Sequence, residues 1–201
     1  MNIKVCQKLT LFYYNLKNSF YSPQSTLSLP FSSKPINNIL VCLPESLEDF
    51  RAAKTQLPTL TEVFQSSTIS LLLKTDYLKL TNGARNYRLV AYSSDEFDIR
   101  GLPKKSLWQK LAPQLFEITI DFNAEFKLPI AALCRKINSP FRLTFAKPND
   151  IVFFNIILQI SDNKDYTTKL KSLLHYLQAI VGREKSLNNQ AFNPVNSRIS
   201  S

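Results

Sequence analysis

The sequence predicts a single Rossmann-like α/β domain: one open parallel, or mostly parallel, sheet with helices on both faces. Between Asn38 and Ile180, strand-like apolar runs alternate with helix-like amphipathic stretches, the pattern of repeated βαβ units. The runs are near-continuous, as in strands covered on both faces, and 201 residues suit one such domain with extensions. We therefore expect the domain at residues 36–182, after a linker at 22–35 and before a disordered tail at 183–201.

A basic amphipathic helix is predicted within residues 1–21, from about Ile3 to Tyr21. Its apolar residues recur at helical spacing, at Val5, Leu9, Phe12, Leu16 and Phe20. The first 44 residues contain four lysines and no acidic residue. The apolar stripe is expected to pack on the domain or on a second copy, as a homodimer. Alternatively, residues 3–21 lie on an anionic membrane surface.

The first half of the domain is predicted as a strand, an interrupted helix and two further strands. Ile36 to Leu43 forms the first strand. A helix begins near Ser46, where Ser46 and Asp49 resemble a capping box, and Pro58 should kink or split it before Phe64. The next two strands are expected at Thr68 to Leu73 and at Arg88 to Tyr92.

The second half is predicted to continue the alternation of strands and helices. After a short helix around Leu107 to Leu115, the expected elements are a strand at Phe116 to Phe122, a helix at Ala124 to Lys136, a strand at Pro140 to Phe145, an apolar strand at Ile151 to Ile160 and a closing helix at Lys164 to Val181.

The composition argues against several classes of protein. The three cysteines, Cys6, Cys42 and Cys134, are far apart, and no histidine lies at ligand spacing from them. We therefore expect neither a disulfide framework nor a metal site, and no cofactor. No apolar run approaches the roughly 20 residues of a membrane span. We expect a cytoplasmic protein, with peripheral contact at the inner membrane face as the alternative.

The first turn between a strand and a helix is acidic and lacks glycine. None of the three glycines, Gly83, Gly101 and Gly182, lies in such a turn, whereas Glu45, Glu48 and Asp49 crowd the first one. Carboxylates at a helix N-terminus repel a phosphate, which argues against a nucleotide there. These residues form either a solvated, capped helix start or a ligand site in which Asp49 acts as a general base with a raised pKa.

A second acidic position follows the strand predicted at Phe116 to Phe122. Asp121 lies at the carboxyl end of that strand, where open α/β sheets bind ligands, and Asn123 is two residues further on. The Asp121 carboxylate could accept hydrogen bonds from a sugar hydroxyl, or it could cap the following helix. His175, the only histidine, has no nucleophile or metal ligand near it in the sequence, so we expect a structural role.

Two groups of basic residues lie in the second half of the domain. The first group is Arg100, Lys104, Lys105 and Lys110, and the second is Arg135, Lys136, Arg142 and Lys147. If the groups converge, they could bind a phosphate-rich partner such as RNA or a lipid headgroup. If they do not, they are solvated surface charges.

Once these elements are placed, the chain resembles a known family. Residues 39–49, Ile-Leu-Val-Cys-Leu-Pro-Glu-Ser-Leu-Glu-Asp, with the helix and strand that follow, resemble the opening of heptosyltransferase-like glycosyltransferases. In that family a strand leads to a Gly-Asp turn, a long helix and a second strand. Residues 116–123, the Ala-Ala-Leu-Cys helix at 131–134 and residues 139–145 resemble a later part of the same half. The layout is also similar to short uncharacterised bacterial proteins that carry this half alone, where a turn like Gly-Leu-Pro-Lys-Lys at 101–105 precedes the strand.

The resemblance implies the N-terminal, acceptor half of such a transferase. Asp49 matches the position of the family's acceptor-activating aspartate, but Glu48 stands where the family has glycine. The resemblance does not extend to the half that binds the sugar nucleotide, so we expect no donor site. The leading expectation is a non-catalytic binding or scaffolding module. The alternatives are a small transferase or hydrolase that uses Asp49 or Asp121, and a nucleic-acid-binding protein.

Overall fold

The computed structural model describes the backbone of residues 3–20, 36–81, 86–161 and 163–191, without the side chains of 18–20 and 182–191. The predicted linker at 22–35 lies outside these residues. The helices are α1 Ile3–Phe20, α2 Leu47–Thr55, α3 Leu57–Val63, α4 Lys105–Leu111, α5 Leu128–Ile137 and α6 Tyr166–Ala191, and the strands are β1 Asn38–Cys42, β2 Thr68–Lys74, β3 Arg88–Tyr92, β4 Ile118–Asp121, β5 Phe141–Phe145 and β6 Ile156–Leu158.

The described strands form one parallel sheet of six strands, in the order β3-β2-β1-β4-β5-β6. This order confirms the predicted Rossmann-like fold class. The chain winds outward in one direction from β1 and then returns to build the other half from β4. Such a reversal is the topological switch point at which open α/β sheets bind ligands. Cys42, the last residue of β1, is in register with Asp121 of β4, so the ends of the two strands lie side by side.

Two apolar layers bury the sheet on both faces. On one face, side chains of β1, β2 and β4 pack against α2, α3 and α6, with Phe50, Leu60 and Leu173 fully buried. On the other face, α4 and α5 cover the sheet through residues such as Leu107 and Leu133. Burial on both faces explains why the strand sequences are near-continuous apolar runs.

The helix after β1 is divided in two, as predicted. The Ser46 hydroxyl accepts a 3.4 Å hydrogen bond from the Asp49 backbone N–H and caps α2. The second helix, α3, begins at Leu57 and has Pro58 in its first turn. A proline is tolerated there because the first backbone N–H groups of a helix have no intrahelical partner.

The connection from β5 to β6 contains no α-helix. The apolar run from Ile151 to Ile160 was predicted as one strand, which is wrong. Its first residues lie in a 3₁₀ turn, Asp150–Val152, and only Ile156–Leu158 pairs with the sheet. Phe153, next to the turn, is buried against the sheet, so the run is apolar because of burial and not because of strand pairing.

Helix α1 packs over this 3₁₀ turn. It covers part of the sheet face that a helix between β5 and β6 would otherwise cover. The Tyr14 ring lies 5.1 Å from the Phe153 ring in an edge-to-face contact, and Leu11 packs on the same apolar layer. On this face of α1, Cys6 and Thr10 are buried. The expectation that the Val5, Leu9, Phe12 and Leu16 stripe packs on the described domain is wrong, because those side chains face outward.

The closing helix is longer than predicted. It extends to Ala191, so the domain boundary placed at residue 182 falls inside a helix, and the tail predicted as disordered is helical at least to that point. The leucine stripe that marked the helix stops near Val181. A helix can continue past its apolar stripe on intrinsic propensity alone, and such continuations leave no periodic pattern. Residues 192–201 lie outside the described part of the chain.

Candidate functional site at the switch point

The loops that follow β1 and β4 are joined by hydrogen bonds at the switch point. The Asn123 side-chain oxygen accepts a 3.0 Å hydrogen bond from the Glu45 backbone N–H. Asn123 in turn donates to Asp121 twice, from its backbone N–H at 3.0 Å and from its side-chain amide at 2.7 Å. Asp121 therefore closes the turn after its own strand. It does not cap the next helix, whose N-cap is Lys127.

The remaining Asp121 oxygen forms a buried ion pair. Lys147, two residues after β5, places its Nζ 2.9 Å from Asp121 Oδ2, and the exposed fractions of the two side chains are 3% and 1%. The same ammonium lies 6.0 Å from the centre of the Phe154 ring. Both Asp121 oxygens thus have partners inside the protein, as a buried carboxylate requires. Lys147 was predicted in a surface basic group, and the structure places it in the interior.

Three tyrosines close the site from neighbouring elements. The Tyr92 hydroxyl, at the end of β3, donates to the Glu45 carboxylate at 2.9 Å, and Tyr77 donates to the Glu45 backbone carbonyl at 2.7 Å. Tyr166, at the start of α6, donates to the Phe122 carbonyl at 2.9 Å. Burial raises the pKa of Tyr92 and of Tyr166, and nearby carboxylates raise each further. These hydroxyls stay neutral and act as hydrogen-bond donors.

Asp150 is a second buried carboxylate beside the ion pair. Asp150 is 1% exposed, and neither of its carboxylate oxygens has a hydrogen-bond partner. Burial raises its pKa to about 6; Lys147 opposes this shift and Asp121 adds to it. A carboxyl in this setting is disfavoured as an anion, because desolvation penalises the charged form more than the neutral one.

Asp49 is partly accessible to solvent and has a raised pKa. It is half-buried in the first turn of α2, and burial raises its pKa, with Glu48 and Glu125 adding to the shift and Lys127 opposing it. After burial, Asp49 and Asp121 each raise the pKa of Tyr166, whose hydroxyl donates to the carbonyl of Phe122, the residue after Asp121. Glu48 is exposed on α2. Of the predicted site residues, the structure thus places Glu45, Asp121 and Asn123, and Asp49 in the first turn of α2, around one edge of the sheet.

Most residues of the two predicted basic groups are engaged with the protein itself. Arg100 pairs with Asp98, Lys110 pairs with Glu96, Arg135 donates to the Val152 carbonyl and lies over the Tyr14 ring, Lys136 lies over the Trp108 ring, and Arg142 donates to the Phe153 and Ser139 carbonyls. Burial, and then Arg135, lower the pKa of Arg142. Lys104 and Lys105 are exposed at the start of α4.

Two cavities lie away from the switch point. One, of about 410 Å³, lies between α4 and the start of β4 and β5, with Trp108, Phe116 and Pro140 in its wall. The other, of about 500 Å³, lies between α1 and the loop at Arg100 and Leu102. Neither is lined by the carboxylates of the switch point.

The remaining predicted positions have structural surroundings. The Cys42 and Cys134 sulfurs are 3.7 Å apart in the core, and this contact, together with burial, raises the pKa of Cys42 well above its usual value. His175 is exposed on α6. None of the helices in the described residues is both long and apolar enough to cross a membrane.

Sequence reasoning missed the groups that close the site, namely Lys147, Asp150 and the three tyrosines. A signal existed for Lys147. It follows β5 directly, β5 neighbours β4 in the sheet, and the carboxyl ends of parallel neighbours meet at one edge. A lysine there is well placed to neutralise Asp121. The tyrosines come from elements distant in sequence, and no local pattern points to them.

The fold is similar to two solved glycosyltransferases. It matches the crystal structure of the glycosyl transferase family 9 from Veillonella parvula with a TM-score of 0.55 and 13% identity, over 73% of this chain and 43% of that one. It matches the E. coli heptosyltransferase WaaC with ADP with a TM-score of 0.53 and 10% identity, over 82% of this chain and 50% of the other. The chain thus spans about half the length of these proteins or less. At such low identity the match shows the fold alone.

No curated protein matches the sequence. A family model does match, over residues 8–180, and its description is a family of unknown function, DUF6913. This match covers α1 from its second turn, the whole described sheet and most of α6. The chain therefore belongs to the DUF6913 family.

Proposed function

We propose that this domain is a non-catalytic binding or scaffolding module built on the pattern of the acceptor half of heptosyltransferase-like glycosyltransferases. The observation that carries the proposal is that both carboxylate oxygens of Asp121 already have partners inside the protein. Its position at the switch point is where such a fold would offer a carboxylate to a ligand. Both of its oxygens are instead held by Lys147 and Asn123, and the Asp121 and Lys147 side chains are almost completely buried.

A carboxylate held in this way is poorly suited to catalysis. A general base must lie within hydrogen-bond reach of the proton that it removes. To reach a substrate, Asp121 would have to leave Lys147, and separating a buried ion pair costs about 3–5 kcal/mol. Glu45 is likewise engaged, because Tyr92 donates to its carboxylate. The hydrogen bonds at the switch point thus support a structural role for these groups.

The first turn between a strand and a helix adds weaker support. It is free of glycine, with Glu48 in the place of a glycine, and its carboxylates disfavour a phosphate. The two solved neighbours support the fold on which the proposal is built, and nothing more.

A small transferase or hydrolase that uses Asp49 is the second candidate. One observation favours it: Asp49 is half-buried and has a raised pKa, which suits a general base. Nucleic-acid binding has less support, because Arg100, Lys110 and Lys147 each pair with a carboxylate.

Calorimetric titration with ADP, together with an assay for nucleoside diphosphate release from a set of nucleotide sugars, tests the proposal. We expect no saturable heat with ADP and no release above the rate without protein. The Asp49→Asn variant is the matched control for the enzymatic alternative, since it removes one charge at a half-buried position. Release by the wild-type chain that Asp49→Asn abolishes would contradict the proposal and establish the enzyme.

A further inference from the structure

We infer that the outward face of α1 docks on an anionic lipid surface. This inference deepens the proposed function, because it rests on the domain being a binding module and names the partner. The outward face consists of the exposed side chains Val5, Leu9, Phe12 and Leu16. At one edge of this face, Leu9 also borders the cavity between α1 and the loop at Arg100 and Leu102.

The outward face is apolar and exposed along the length of the helix. Leu9 is 61% exposed and Phe12 is 65% exposed, while Val5 and Leu16 are about half exposed, at 49% and 47%. Spacings of three and four residues place these four side chains in one row along the helix. Single exposed apolar residues are ordinary, but a contiguous row of them marks an interaction surface.

The opposite face of α1 fixes this orientation. Cys6 and Thr10 are buried against the domain, and the Thr10 hydroxyl donates to the Cys6 carbonyl at 2.9 Å. One turn further on, Tyr14 lies between the Phe153 ring and the Arg135 guanidinium, which is 5.1 Å from the centre of the Tyr14 ring. Rotating α1 to bury the outward row would expose Cys6 and Thr10 and separate Tyr14 from Phe153 and Arg135, so the domain itself presents the row.

The charges on α1 favour an anionic partner. The charged residues of the helix are Lys4, Lys8 and Lys17, and the sequence contains no acidic residue before Glu45. By helical spacing, Lys4 and Lys8 lie along one edge of the apolar row, whereas Lys17 lies on the same side of the helix as Cys6 and Thr10. An apolar row bordered by lysines is the arrangement of a helix that lies in the plane of a membrane interface. Anionic lipids attract such lysines, whereas neutral lipids do not.

A second copy of the chain fits the same face less well. Two α1 helices packed row against row would place two positively charged helices with no acidic residue side by side, and like charges across an interface oppose association. A lipid surface needs no matching partner face and suits the charge of the row.

Flotation of the full chain with vesicles tests the inference. One set of vesicles contains phosphatidylglycerol in phosphatidylcholine, and the other is phosphatidylcholine alone. We expect the chain to float with the anionic vesicles and to bind the neutral ones at least tenfold more weakly. A Leu9→Ser, Phe12→Ser double variant should lose at least tenfold of the anionic binding, because it removes the centre of the apolar row.

Two further variants make the test specific. Leu115→Ser is the matched control, because Leu115 is 87% exposed and lies outside α1, and it should bind as the wild type does. Replacing Lys4 and Lys8 by glutamine should weaken binding to anionic vesicles by about fivefold per lysine, since each lysine near such a surface contributes about 1 kcal/mol. The glutamine variant leaves the apolar row intact and so tests the charge argument even if the serine variant folds poorly.

Three outcomes would overturn the inference: no flotation with anionic vesicles, equal flotation of the wild type and the double serine variant, or a concentration-dependent dimer in sedimentation velocity that the double serine variant abolishes while vesicles fail to bind. The last would assign the row to a second copy. No nucleotide is present in this assay. A failure here therefore leaves the non-catalytic proposal standing, and a positive result with nucleotide sugars leaves the vesicle result standing.

Discussion

Replacing Asp150 by asparagine should stabilise the protein at neutral pH and have little effect in acid. Asp150 is buried beside the Asp121 and Lys147 ion pair, and its carboxylate oxygens have no hydrogen-bond partner. Its pKa rises from 3.8 to about 6, mainly through burial. Asparagine has the shape of the protonated carboxyl group and carries no charge at any pH.

The magnitude follows from the linkage between protonation and folding. The folded-state pKa lies above the unfolded-state value, so the folded state binds the proton more tightly. The stabilisation due to that proton is fully present below about pH 3.8 and is lost as the pH rises through about 6. Each pKa unit corresponds to about 1.4 kcal/mol, so ionised Asp150 lowers the free energy of unfolding by up to about 3 kcal/mol at pH 7.5.

Urea unfolding of the wild type and of Asp150→Asn, at intervals between pH 4 and pH 7.5, measures this difference. The advantage of the variant should grow from below about 1 kcal/mol at pH 4 to about 2–3 kcal/mol at pH 7.5. Asp76→Asn, at an exposed carboxylate, is the control, and it should change stability by less than about 0.5 kcal/mol at every pH. An advantage that does not change with pH, or a variant less stable than the wild type at pH 7.5, would refute the reasoning.

Three further substitutions test the contacts around the switch point, each by urea unfolding at pH 7. Lys147→Met leaves Asp121 buried without its cation and should cost about 3–5 kcal/mol; a loss below about 1 kcal/mol would mean that the ion pair is solvated. Tyr92→Phe removes the donor to Glu45 and should cost about 0.5–1.5 kcal/mol, and no loss would show that this bond does not form. Ser46→Ala removes the N-cap of α2 and should cost about 0.5–1 kcal/mol, whereas glycine at this position should cost only a few tenths; an alanine variant as stable as the wild type would rule out the cap.

The sheet could be predicted from the sequence because its strands are buried on both faces. The strand Arg88 to Tyr92 has the predicted bounds, and β1, β2, β4 and β5 differ from the predicted bounds by at most two residues at either end. Local rules also located the break between α2 and α3, since a proline can begin a helix but disrupts its interior. Each of these features depends on neighbours in sequence.

The orientation of α1 could not be predicted because it depends on distant contacts. Periodicity identified the apolar row correctly but could not say whether the row faces the domain. The face that does pack carries Cys6, Thr10 and Tyr14, a weakly apolar set. Tyr14 packs there because the connection from β5 to β6 lacks a helix and exposes Phe153 to it, and no local pattern shows that absence.

The candidate site was predicted only in part, because its contacts also join residues that are distant in sequence. The position of Asp121 at the end of β4 followed from strand periodicity. Its partner Lys147 is separated from Asp121 in the sequence by α5 and β5. A lysine in a charged stretch is usually a surface residue, so the sequence predicts an exposed position for it. Only the strand order brings the two side chains together, and hydrogen bonds of this kind can be foreseen once that order is known.

The depth of α1 at a lipid surface is the most direct test of the central claim, that this domain is a binding module for an anionic surface. Trp108 is the only tryptophan, so a Trp108→Phe, Phe12→Trp variant reports on the outward face alone. On addition of phosphatidylglycerol vesicles, its emission should shift to the blue and be quenched by brominated acyl chains. Emission that stays at the wavelength of a solvated tryptophan, with no quenching by the brominated lipid, would contradict the claim.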